Sequence, residues 1–254
     1  MRPVLKLALA ASAAMAVSTP AAAVDFGGSS GSLSATASFN VIAGNLIVTL
    51  TNNSSADINV PADILHALFF DIAGTPALNY NDADICGSCT FTGAVSGSGS
   101  DVGAEWAFKQ NGSGLGGGIS QDYGLSSAGY NIFGPGDVLS GAAHPDRGGG
   151  VTPPGGGDFG LVSAGYTTNG DNGGVTNNQP YIQNSVTFNL GAFSADDLGK
   201  IGNIRFQYGT DVADTHFGAV PEPGTWAMML LGFGGIGMAM RRGRKQNARL
   251  MQIA

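Results

Sequence analysis

The stretch Ser32–Ser55, SLSATASFNVIAGNLIVTLTNNSS, decides the fold class. Apolar side chains alternate with small polar ones through two runs, Leu33–Ile42 and Leu46–Thr51, and Ala43-Gly44-Asn45 stands between them. A period of two puts successive side chains on opposite faces of a strand. Two such runs joined by a Gly/Asn turn predict a β-hairpin.

Working outward, Asp63–Gly74, DILHALFFDIAG, is a denser apolar run and fits a strand buried on both faces. AEWAFKQ (104–110), YGLSSAGYNIF (123–133), FGLVSAGYTT (159–168), NSVTFNLGAF (184–193) and NIRFQYGT (203–210) supply further candidate strands. Helix signals are scarce. The best is FSADDLGKIG (193–202), where Ser194 can cap a short turn and Asp196 and Asp197 suit its N-terminal dipole. Many short strands divided by Gly, Asn, Asp and Pro predict an all-β fold: a single sandwich or jelly-roll-like domain with Gly-rich loops. An immunoglobulin-like topology is equally compatible with this pattern.

One echo is visible. Asp122–Tyr130, DYGLSSAGY, returns as Asp158–Tyr166, DFGLVSAGY, with seven of nine positions identical. Two copies fall short of a solenoid. They read as a pair of similar strands, neighbours in the sheet, and a pair of related binding edges is the sharper alternative. The Gly/Pro-rich stretch between them reads as an exposed loop.

The body from Val24 to Ala219 carries 17 acidic and four basic side chains, a net charge of −13 against −7 for the whole chain. Such a surface argues against nucleic acid or anionic lipid as a partner. NYNDADICG (79–87) and NGDNGG (169–174) gather oxygen ligands of the kind Ca²⁺ takes. Neither matches the 12-residue calcium loop, and turn chemistry explains the same residues. The expected cofactor is therefore none, with calcium as the alternative.

Candidate chemistry is thin. Cys86 and Cys89 form CGSC with a strand-like segment after it, not the helix of a redox motif. In an oxidising compartment a local disulfide is expected, ahead of redox or metal roles, with a modest effect on stability. Gly27–Gly31, GGSSG, fits a nucleophile elbow by letter but lacks the strand–turn–helix context. GSGLGG at 112–117 fits a dinucleotide fingerprint with no helix after it. His66, His144 and His216 show no metal-ligand spacing, and His66 reads as a half-buried strand residue with a satisfied hydrogen bond. Glu105 is the body's one glutamate and adjoins Trp106, an arrangement that suits a sugar site but more often marks core.

The two ends of the chain carry a different message. Arg2 and Lys6 precede an apolar run and the small residues Ala21-Ala22-Ala23, so residues 1–23 read as a signal peptide cut after Ala23. Near the other end, VPEPGTWAMMLLGFGGIGMAMRRGRK spans 220–245. The segment 226–240 holds no charge in 15 residues and would make a helix roughly 22 Å long at about 1.5 Å per residue. That is short for a bilayer core of about 30 Å. Trp226 suits the interface, and Arg241, Arg242, Arg244 and Lys245 can snorkel on the cytoplasmic side, so one transmembrane helix with the body outside is expected. Pro221 and Pro223 each fix φ and lack an N–H, and Glu222 adds charge. Val220–Pro223 therefore reads as an extended, accessible peptide unable to enter a helix or a sheet interior. Residues 246–254 form a short tail.

Signal peptide and tail together resemble proteins with the PEP-CTERM sorting signal, in the PEP-x-x-W-A form common in alphaproteobacteria. Pro221, Glu222, Pro223, Trp226, Ala227, the Gly-spaced apolar run and the Arg cluster carry the resemblance, which covers about the last tenth of the chain. It implies an exosortase substrate, held transiently in the inner membrane, cut near Pro-Glu-Pro, and passed to the cell surface or extracellular matrix. It also implies a link to exopolysaccharide and biofilm. For the body, the expectation is a non-catalytic surface or matrix protein, with a carbohydrate-binding module or a secreted polysaccharide hydrolase as alternatives.

Overall fold

The computed structural model describes residues 23–55, 58–92, 100–137, 139, 158–167, 175 and 180–221, the last two by backbone alone. In chain order the strands are β1 (Ala23–Ser30), β2 (Leu33–Ile42), β3 (Asn45–Asn52), β4 (Leu65–Ile72), β5 (Asp82–Ile85), β6 (Phe91–Thr92), β7 (Ala107–Gln110), β8 (Tyr123–Ser126), β9 (Leu161–Val162), β10 (Tyr181–Gln183), β11 (Ser185–Ala192), β12 (Ile201–Tyr208), β13 (His216–Gly218) and β14 (Val220–Pro221). Two short 3₁₀ turns lie at Pro61–Asp63 and Ala195–Lys200. Ser194 caps the second through Asp196 N–H, as its sequence predicts. The architecture is all-β in two sheets, a sandwich.

The first sheet has the order β14-β1-β2-β3-β11-β5. The β2–β3 hairpin pairs Ile42 with Asn45, one residue earlier than the alternation alone suggests. Ala43 and Gly44 both take positive φ, 50° and 80°, which is what a two-residue turn of the favoured hand requires. Leu33, Ala35, Ala37 and Phe39 of β2, with Leu46, Val48 and Leu50 of β3, turn inward. Preceding them, β1 runs through DFGGSS, which its Gly and Ser content disguises in the sequence.

The second sheet runs β13-β12-β4-β9-β10-β6, with β8 also on β4 and β7 on β8. At its centre β4 is buried at seven of eight positions. Leu68, Phe70 and Ile72 enter the core between the sheets, where the Phe70 ring meets Phe39 edge-on at 5.2 Å. Ala67 and Phe69 point the other way, into a second cluster with Leu115, Tyr130, Ile132 and Phe133. The loops thus cover the outer face of this sheet, and β4 is apolar on both sides as its sequence predicts.

The echo sequences explain this cover. β8 pairs with Ala67–Phe70, and Leu161 of β9 pairs with Leu65, so the two copies lie end to end along one edge of β4 and not side by side. In each copy the leucine, Leu125 or Leu161, is in the inter-sheet core. In each the tyrosine anchors an outer cluster: Tyr130 beside Phe69, and Tyr166 with Ile64 and Tyr181. In each the middle glycine allows close packing. A Cβ on Gly124 would stand 2.8 Å from Leu115 and Phe69, and one on Gly160 would stand 2.3 Å from His66.

Cys86 and Cys89 are joined in a disulfide with Cα atoms 4.9 Å apart. The bridge sits in the tight turn after β5, with Cys89 N–H donating to Cys86 O at 2.9 Å. There the chain leaves the first sheet and goes on to β6 of the second. It therefore stiffens a crossover, although its loop is too short to restrict much of the unfolded chain.

Two expectations follow. Gly124→Ala and Gly160→Ala each lower stability by about 2 kcal/mol or more, whereas Gly165→Ala, where a Cβ meets nothing within 4 Å, stays within about 0.5 kcal/mol of wild type in urea unfolding. Replacing Cys86 and Cys89 by Ser costs about 2 kcal/mol at most in the same assay.

Candidate functional site

The last strands of the body lead into the tail. In β13, Phe217 pairs with Phe206 of β12 and lays its ring 5.7 Å from that of Phe206 and 5.6 Å from that of Tyr208. Ala219 N–H then donates to Ile204 O at 3.1 Å. Immediately afterwards the chain changes sheets: Val220 stands opposite Gly27 and Pro221 opposite Phe26, antiparallel to β1. The crossing needs a bare backbone at Gly28, because a Cβ there would lie 2.9 Å from both Gly218 O and the Phe217 ring. The GGSSG run is therefore strand and hairpin turn, with Gly31 at φ 62°, and not a nucleophile elbow.

Val220–Pro221 is extended and belongs to an edge strand, where a residue without an N–H is tolerated. Its direction has a geometric consequence. β1 opens at Ala23, and β14 runs antiparallel to it, so the two chain ends leave the body at the same end of one sheet edge. Ala23 is exposed. Ala21 and the rest of residues 1–22, read from sequence as a signal peptide, lie outside the described residues, as do Glu222, Pro223, Trp226, the segment 226–240, Arg241, Arg242, Arg244, Lys245 and the tail 246–254. Among the described residues no helix is long and apolar enough to cross a membrane. Trp226 lies five residue steps beyond Pro221, a reach of at most about 18 Å.

The catalytic candidates are taken up by packing. His66 is fully buried, more so than its sequence position suggests. Its Nδ1 lies 2.9 Å from Ser127 Oγ, while Nε2 finds no partner among the described residues. Burial pushes its pKa from 6.5 down to about 3. Glu105 and Trp106 are both buried, and the indole packs edge-on against Phe188 at 5.1 Å. GSGLGG forms the turns between β7 and β8, with Gly114, Gly116 and Gly117 at positive φ and no helix after it. His216 is exposed, with Nδ1 2.9 Å from Asp214 O; His144 lies outside the described residues.

The acidic segment around β5 is held together by turn hydrogen bonds. Ser100 Oγ donates to Asp84 at 2.9 Å, Gly103 N–H to Asp101 at 2.8 Å, and Tyr80 OH to Gly103 O at 3.1 Å. Partial desolvation, and then the charges of Asp84 and Asp101, raise the Asp82 carboxyl. Burial, and then the charges of Asp82, Asp101 and Glu105, push the Tyr80 hydroxyl far up. Among the described residues no three His, Cys, Asp or Glu side chains converge as a metal site requires. The NGDNGG stretch lies outside them.

A shallow cleft of about 400 Å³ opens where the end of β3 meets the second echo copy. Asn53, Ser54, Ser55, Ser163, Gly165 and Asn184 line it, with no charged side chain. Asn52 at its floor holds the two sheets together: its amide donates to Leu161 O at 2.8 Å and its oxygen accepts from Ser54 N–H at 3.0 Å. Ser54 Oγ in turn lies 3.2 Å from Tyr208 OH. The polar lining comes from three turns far apart in sequence. Only the Asn-Asn-Ser-Ser run hints at it.

Among known families, residues 219–245 match the model of the PEP-CTERM protein-sorting motif. The chain thus carries the sorting signal of an exported protein that an exosortase-type enzyme handles. Comparison with curated proteins and with solved structures returned no match.

His66 makes the folded state sensitive to acid. The unfolded histidine takes a proton below about pH 6.5, while the folded ring stays neutral down to about 3. Stability is therefore full above the unfolded pKa and falls as pH drops through that window, by up to about 1.4 kcal/mol per unit. Urea unfolding at pH 5.0 should give a stability about 2 kcal/mol below that at pH 7.5, and His66→Gln should remove most of the difference.

Proposed function

We propose that this protein is a non-catalytic surface or matrix component, anchored briefly in the inner membrane through residues 226–240 and cut at Pro-Glu-Pro by an exosortase-type enzyme. The observation that carries the reading is the pairing of Val220–Pro221 with β1. The sorting motif begins inside the folded body, with no spacer, beside the strand that follows the leader. A body built this way rests against the membrane by the edge from which both ends emerge. That arrangement agrees with a leader entering and a tail stopping in the same bilayer. Burial of Glu105 and Trp106 supports a body without polysaccharide hydrolysis, since neither side chain can reach a polymer outside.

A saccharide partner is a second part of the proposal, and the uncharged cleft favours it. Amides and hydroxyls without a charge suit a neutral polyhydroxylated chain better than an anionic one, and the body's net charge of −13 repels acidic polymers at long range. In this reading the released body holds exopolysaccharide in the biofilm matrix. Cations, calcium included, are not required.

Membrane fractionation with intact-mass measurement tests the sorting. Wild type should appear as a released body lacking the residues after Pro223, and reversing the charges of Arg241, Arg242, Arg244 and Lys245 to Glu should leave unprocessed chain with a misplaced tail. Release of that variant at the wild-type rate contradicts the anchor. Titration of neutral polysaccharide tests the cleft: Ser163→Asp should weaken binding at least about tenfold, the effect of roughly 1.4 kcal/mol.

A further inference from the structure

The first two residues of the sorting motif's Val-Pro-Glu-Pro run are held by backbone pairing, and this restricts what an enzyme can grip. The chain is fixed at Ala219 by the bond to Ile204 O, and again at Val220 and Pro221 by β1. From Pro221 to Pro223 the free reach is at most about 7 Å. Enzymes that cut peptides bind them as extended strands along the backbone edges, and β1 already occupies one edge of Val220–Pro221. The folded body stands directly behind it, with Phe217 packed on Phe206 and Tyr208.

The same pairing is built to come apart. It spans two residues, one of them a proline with no N–H to give. β1 does not depend on it, because its other edge is paired with β2 at all eight positions from Ala23 to Ser30. Departure of β14 therefore leaves the sheet standing and frees two further residues, about 7 Å of reach.

We propose that Val220–Pro221 is a latch on the sorting peptide: the processing enzyme acts on the form in which this strand has left β1, and the paired form is held back. The inference rests on the reading that the cut falls at or beside Pro-Glu-Pro. In that step one backbone peptide bond breaks. The acyl side stays with the body and passes to water or an acceptor amine, and the new amine leaves with the tail. The latch sets how often the peptide is offered and has no part in the bond chemistry.

Gly27 and Val220 stand directly opposite each other, so Gly27→Cys with Val220→Cys can lock the strand by a disulfide. The full-length chain is expressed in its membrane, and precursor and product are followed by intact mass with and without reductant. Wild type is carried through the same reductant so that loss of the Cys86–Cys89 bridge is scored separately. The oxidised pair should be processed at least tenfold more slowly than wild type and recover on reduction. Processing of the locked form at the wild-type rate overturns the latch, while a wild type that is never cut overturns the underlying reading instead. If the cysteine pair prevents folding, a Gly-Ser-Gly-Ser insertion after Ala219 decides. The added slack should make processing faster than wild type, and a rate no higher than wild type overturns the proposal.

Discussion

Everything in this body is arranged around the need to cover β4 on both faces. A strand reading Leu-His-Ala-Leu-Phe-Phe-Asp-Ile cannot sit at a solvated sheet surface. One face is covered by the first sheet, through contacts such as Phe70 on Phe39. The other is covered by loops, and the loops stay down because two related segments clamp them. Tyr130 with Phe133 and Ile132 forms one lid, Tyr166 with Tyr181 and Ile64 the other. His66 lies at the seam, against Gly160 of one copy and bonded to Ser127 of the other. A neutral, buried imidazole there ties the stability of the core to pH.

Closure of the sandwich at its far edge depends on the C-terminal strands. β13 belongs to one sheet and β14 to the other, with a single residue, Ala219, between them. The crossing is possible because Gly28 offers no side chain. The result joins two parts of the molecule that sequence keeps far apart: β1, the first strand, and the opening of the sorting motif. Folding and the sorting motif thereby meet at one sheet edge.

How much of this is legible in the sequence depends on element length. The β2–β3 hairpin and β4 declare themselves, because eight or ten residues are enough for a period or an apolar run to show. The Ser194-capped turn is legible for a different reason, a local hydrogen bond that needs no tertiary partner. β6, β9, β13 and β14 span two or three residues each, too few for any period, and exist only because a partner strand is present. β1 is hidden by its Gly and Ser residues, of which Gly28 answers to the close approach of β13, not to strand propensity. The echo is plain in the sequence, but its end-to-end placement on β4 is a tertiary fact. The sorting motif is readable throughout, since its parts stand one after another along the chain. The cleft is not, because Asn53, Ser163 and Asn184 reach it from separate turns.

The central claim is that the start of the sorting motif is a working strand of the body. Amide hydrogen exchange over β1 tests it most directly, comparing the full chain with a chain ending at Ala219. Pairing with Val220–Pro221 predicts that the Phe26 and Gly27 region exchanges faster in the shortened chain, while β2 and β3 keep their protection. Identical exchange over β1 in the two chains would contradict the account.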